Sequence, residues 1–107
     1  MRNKYRQEHW DPDTIEELIH RRRRQVLVHS VLYYRLDTNV VEDHIFDSWA
    51  RELARLQRAH PEASERVIYH RDAFVNFNGE TGHYLPLLDV QATEAAFRLK
   101  AEHNRRK

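Results

Sequence analysis

Residues 43–59, DHIFDSWARELARLQRA, constrain the fold most: Phe46, Trp49, Leu53 and Leu56 recur at i, i+3, i+7 and i+10, a helical stripe that no strand can present. Pro61 stops this helix. Upstream, Asp13-Thr14-Ile15-Glu16 reads as a helix start, with Asp13 as N-cap and Glu16 at the reciprocal position. From there Ile15, Leu18, Ile19, Val26, Leu27, Val31 and Leu36 keep helical spacing to about Leu36. Only residues 37–42 separate the two patterns, so the helices must fold back as an antiparallel hairpin. Asp37-Thr38-Asn39 supplies the turn.

Beyond Glu62 the pattern changes. Ser64 to Tyr69 can add a helical turn, and Ala73-Phe74-Val75-Asn76-Phe77 and His83-Tyr84-Leu85 read as two short strands. Asn78 to Gly82 holds both glycines of the chain and would close them into a hairpin, with φ > 0 available at each glycine. Asp89 can cap a last helix from about Val90 to His103 that buries Ala92, Ala95, Ala96 and Leu99. The expected fold is mainly α: a helical hairpin with a small β-hairpin and a C-terminal helix. Residues 1–12 form an arm and 13–107 one domain, since 107 residues suffice for one modest core.

Composition narrows the setting. The chain has no cysteine, which removes disulfides and thiolate metal sites and fits a reducing cytoplasm. No apolar run approaches the roughly 20 residues that span a bilayer, and the polar start MRNKYRQEHW has no signal-peptide core. The net charge of +1 conceals basic ends and an acidic middle: residues 37–97 hold five Lys/Arg against eleven Asp/Glu. Arg21 to Arg24 are spread through roughly 300° of helical arc, so they make no single basic face. The eight histidines form no compact ligand motif, and Gly79 and Gly82 match neither a P-loop nor a dinucleotide fingerprint. Scattered surface histidines and a plain loop are the expectation.

Residues 33–62, YYRLDTNVVEDHIFDSWARELARLQRAHPE, carry a longer signature. In it Tyr33, Tyr34, Asp37, Asp43, Asp47, Glu52, Leu53, Leu56, His60, Pro61 and Glu62 fall without a gap on the pattern of one family. The segment resembles the small helical N-terminal domain, Ia, of bacterial NAD-dependent DNA ligases. Asn39, Phe46, Trp49 and Gln57 depart from that pattern. The resemblance implies a site for the nicotinamide mononucleotide (NMN) half of NAD. Tyr33 and Tyr34 would be aromatic walls for the ring, and Asp43 and Asp47 acceptors around its ribose and amide. Phe46 stands where the family has a tyrosine, keeping an apolar contact without the hydroxyl.

The ligase nucleophile is the lysine of a K-x-D-G motif, and none of Lys4, Lys100 and Lys107 begins one. The expectation is therefore a non-catalytic protein. First in order is an interaction protein that uses the hairpin as scaffold and residues 1–12 and 63–107 as working surface. Stand-alone relatives of this domain occur in bacteriophage genomes, which makes the partner a host or phage protein and the role inhibition of a host or defence factor. The alternative is an NMN- or NAD-binding module acting as sensor or sponge. Nucleic-acid binding through the basic arm and tail comes third.

Overall fold

In a computed structural model that describes residues 9–80 and 82–106, the described residues form five helices. They are α1 (Ile15–Tyr34), α2 (Asp43–Ala59), α3 (Pro61–Arg66), α4 (Arg71–Phe74) and α5 (Val90–Arg105). α1 is the central rod, packing against α2 on one side and α5 on another, while α3 closes on both α1 and α2. The core lies along α1, where Ile19, Val26, Leu27 and Val31 meet Leu53 of α2 and Ala92 and Ala96 of α5, all buried. The helical hairpin and the C-terminal helix stand as expected. Leu99, expected in the core, is on the rim of its helix at 36% exposure.

The cap of α1 falls one residue later than expected. Thr14 is the N-cap, its Oγ1 accepting from the Glu17 backbone N–H at 3.1 Å, whereas Asp13 sits at φ 70°, a left-handed position that Asp tolerates better than most side chains. Glu16 is then free to pair across the fold with Arg66 at 2.6 Å. Asp89 caps α5 as expected, Oδ2 accepting from Ala92 N–H at 2.8 Å. Pro61 ends α2 and opens α3 at its first position, where a missing N–H costs nothing.

The β-hairpin does not form, and no strand is present among the described residues. Residues 71–74 are a helical turn instead, and the Phe77 N–H donates to the Phe74 carbonyl at 3.1 Å. Phe74 and Phe77, three apart, are both buried and meet edge to face at 5.4 Å, while Val75 between them is 69% exposed. A strand would have sent Phe74 and Phe77 to opposite faces; burying both rings requires the tighter period. Gly79 does take φ 86°, but Gly82 serves a different need: a Cβ there would stand 2.1 Å from the Ser30 hydroxyl. It lets the loop lie directly on α1.

Of the expected arm, residues 1–8 lie outside the described residues, and Trp10 packs against the core. No helix of the described residues is long and apolar enough to cross a membrane.

Candidate functional site

Arg23 accounts for the far end of the hairpin. It is on the buried stripe of α1 at 1% exposure, where an unsatisfied guanidinium would be very costly. Its Nε donates to Gln57 Oε1 at 2.7 Å, Nη1 to the Val67 and Tyr69 carbonyls at 2.7 and 3.1 Å, and Nη2 to the Ser64 carbonyl and hydroxyl at 3.0 and 2.8 Å. These occupy all five N–H donors of the fork. Gln57 completes the network by donating from Nε2 to the Phe74 carbonyl at 2.9 Å. A glutamate at this position could not make that donation.

At the near end the same two helices open. α1 finishes with the Arg35 and Leu36 N–H groups both on the Val31 carbonyl, and Thr38 N–H reaches back to Leu32 O at 2.9 Å. Asp37 turns the chain at φ 50°. Arg35 fastens this end to the C-terminal part of the chain, donating to the Leu87 carbonyl at 2.9 Å and to Thr93 Oγ1 at 2.8 Å. Residues 38–41 then cross to the first turn of α2. Between the helix ends lies a cleft of about 220 Å³, lined by His29, Tyr33 and Tyr34 of α1, residues 38–41 of the crossing, Asp43, Phe46 and Asp47 of α2, and Glu80.

Tyr33, Tyr34, Asp43, Phe46 and Asp47 are thus brought together. Tyr33 and Tyr34, at 54% and 42% exposure, hold each other edge to face at 4.8 Å. Phe46, with Trp49, packs on the edge of the core and not in its centre, which leaves Phe46 available to the cleft. Asp43 and Asp47 lie four apart on α2 and so share a face; Arg51 stands 3.8 Å from Asp47. A carboxylate in the first turn of a helix is favoured by the exposed N–H groups there, and Glu42, the N-cap, contributes no side-chain cap bond.

Besides the crossing residues 38–41, two lining residues were not anticipated, His29 and Glu80. His29, four before Tyr33 on α1, shares its stripe, and its ring meets Trp49 edge to face at 5.1 Å. Burial pushes the imidazole below its ordinary range, so it is neutral near pH 7. Helical spacing alone could have found it. Glu80 arrives from a distant loop and had no local signal. An aromatic run extends the site further, with His83 6.2 Å from Tyr34 and 5.9 Å from Tyr84. Among the described residues no group of three or more His, Cys, Asp or Glu could hold a metal ion.

The profile described as DNA ligase-like, N-terminal NAD+-binding domain, matches residues 12–66, just over half of the chain. The chain belongs to that family. No curated protein and no solved structure matches it significantly.

Proposed function

We propose that the chain is a non-catalytic binding module whose cleft receives the nicotinamide ring and ribose of NMN or NAD. What supports the reading is one observation: four residues that match the ligase pattern, Tyr33, Tyr34, Asp43 and Asp47, and Phe46, which stands where the pattern has a tyrosine, line a single cleft in a member of a family described as NAD+-binding. The aromatic side chains offer π faces to a planar ring and the carboxylates accept from hydroxyls and an amide. At about 220 Å³ the cleft is below the roughly 300–1,000 Å³ of sites that enclose a ligand, so part of the nucleotide stays in water. Binding in the micromolar to millimolar range follows. Calorimetric titration with NMN and NAD tests it, and silence at millimolar ligand retires the nucleotide module.

A second reading, docking on a host or phage protein, draws on the surface beyond the family-matched residues. Ile68, Val75, Leu88, Val90 and Phe97 there are each more than half exposed. Capture from a host lysate that is lost in Phe97→Asp would favour it. Nucleic-acid binding has the least support, because the basic run is divided. Arg21 pairs with Glu17 at 2.6 Å, Arg22 with Glu52, and Arg23 is interior; in the tail, Arg105 and Arg106 both pair with Glu102.

A further inference from the structure

Resting on the nicotinamide reading, we propose that the cleft selects a cationic pyridinium riboside lacking a phosphate, and that Glu80 is a specificity-determining residue for this choice. Three carboxylates, Asp43, Asp47 and Glu80, line the cleft together with the rings of Tyr33, Tyr34 and Phe46. No lysine or arginine is among its described lining residues. Aromatic faces and carboxylates attract a quaternary ring nitrogen. A phosphate on the same ligand meets only like charge.

Neighbouring cations do not reverse this balance. Arg35 is committed to the Leu87 carbonyl and Thr93. Arg51, itself mostly exposed, stands 3.8 Å from Asp47 and offsets part of that one carboxylate. The neutral state of His29, set by burial, adds no positive charge to the wall.

Glu80 lies outside the residues that match the family, and the loop that delivers it is built for close approach. The Glu80 N–H donates to Asn78 Oδ1 at 3.0 Å, a side-chain turn that fixes the chain before it. Gly79 takes φ 86°, and a Cβ added there would be 3.1 Å from the Ala50 carbonyl oxygen and 3.2 Å from Arg51 Cα. With glycine the loop rests on the α2 backbone; a larger residue would lift it, and Glu80 with it, away from α2. The sequence beyond the family-matched residues thereby adds one negative charge to a cleft that already has two.

The test is calorimetry on the full chain with nicotinamide riboside, NMN and uncharged nicotinamide, repeated with Glu80→Gln. At about 50 mM salt the riboside should bind on the order of tenfold tighter than NMN, a gap that shrinks at about 500 mM as the carboxylates are screened. Nicotinamide should bind more weakly than the riboside. Glu80→Gln should narrow the riboside-to-NMN ratio severalfold with the helical spectrum unchanged. NMN binding as tightly as the riboside, or tighter, overturns the selection while the nicotinamide reading stands. An unchanged ratio in Glu80→Gln overturns the role of Glu80. Silence with riboside and NMN alike overturns both the selection and the reading beneath it.

Discussion

At one end of the α1–α2 hairpin Arg23 gives every N–H it has to Gln57, Ser64, Val67 and Tyr69; at the other, Tyr33 is more than half exposed and Asp43 lies open at the start of α2. The two ends share helices and are close in composition. What separates them is whether chain arrives to cover the polar groups. Residues 64–74 fold over the Arg23 end and supply carbonyls to its donors, so the polar groups there are structural. At the cleft end the 78–80 loop approaches, and it brings another carboxylate instead of a partner for the first two. A ligand can satisfy what the fold leaves open.

The comparison breaks most visibly at Arg23. Arg23→Leu keeps an apolar stem but strands the Val67, Tyr69 and Ser64 carbonyls in the interior, and should cost on the order of 3–5 kcal/mol. Denaturant melts measure it. A loss below about 1 kcal/mol would mean that water replaces the guanidinium and that the closed end is not closed. Leu53→Ala, fully buried in the centre of α2, should cost about 2–5 kcal/mol through the cavity it leaves. Arg58→Ala, on the exposed side of the same helix, should change stability by less than about 0.5 kcal/mol. Equal effects at 53 and 58 would contradict the burial described above.

Substitutions at the open end should show the opposite profile. Asp43→Ala and Tyr33→Ala are expected to alter stability by less than about 1 kcal/mol, because one group is an exposed first-turn carboxylate and the other a half-exposed ring. Each should abolish detectable NMN binding in calorimetry. Phe46→Tyr should strengthen that binding by up to about 1 kcal/mol by adding a hydroxyl donor to the wall. If Asp43→Ala unfolds the protein, the open end is structural after all, and the contrast between the two ends fails.

The same contrast explains what could be read from the chain beforehand. The α1–α2 hairpin was legible because its burial follows one helical period on each segment, with Leu53, Leu56, Val26 and Val31 as fixed points. Residues 73–77 misled because a five-residue apolar run satisfies strand and helix equally. The decision came from Arg23 and Gln57, more than fifteen residues away, whose donors occupy the carbonyls of residues 67, 69 and 74. Gln57 registered only as a departure from the family pattern, yet its amide is what joins the two sides of that network. Tyr33, Tyr34, Asp43, Phe46 and Asp47 were expected together through the resemblance to the ligase domain, and the short turn that brings the end of α1 to the start of α2 is what lets them line one cleft. Glu80 could not be expected there, since its position depends on how closely Gly79 approaches Ala50.

The smallest expected effect concerns His29, which lies between the cleft and the core. Burial holds its folded-state pKa below the ordinary 6.5, so the unfolded chain takes up a proton that the folded chain refuses. Its contribution to stability is therefore complete above about pH 6.5 and falls away as pH drops through that value toward the lower folded pKa. Glu16 and Glu17, lowered by hydrogen bonds from Arg66 and Arg21 respectively, also lose their contribution on acidification, but only as pH falls from the ordinary carboxylate value of 4.5 toward their lower folded pKa. The two windows are distinct. Urea midpoints at about pH 7.5, 6 and 5 should decline in the wild type, and His29→Phe, which keeps a ring against Trp49, should flatten the part of the decline that begins near pH 6.5 and runs below it. The other histidines contribute the same background to both proteins, so the difference between the curves isolates position 29. Parallel curves would show that the fold does not resist protonation at His29. The cleft would then acquire a positive charge in mild acid, and its ligand preference would have to shift toward phosphate over the same pH range.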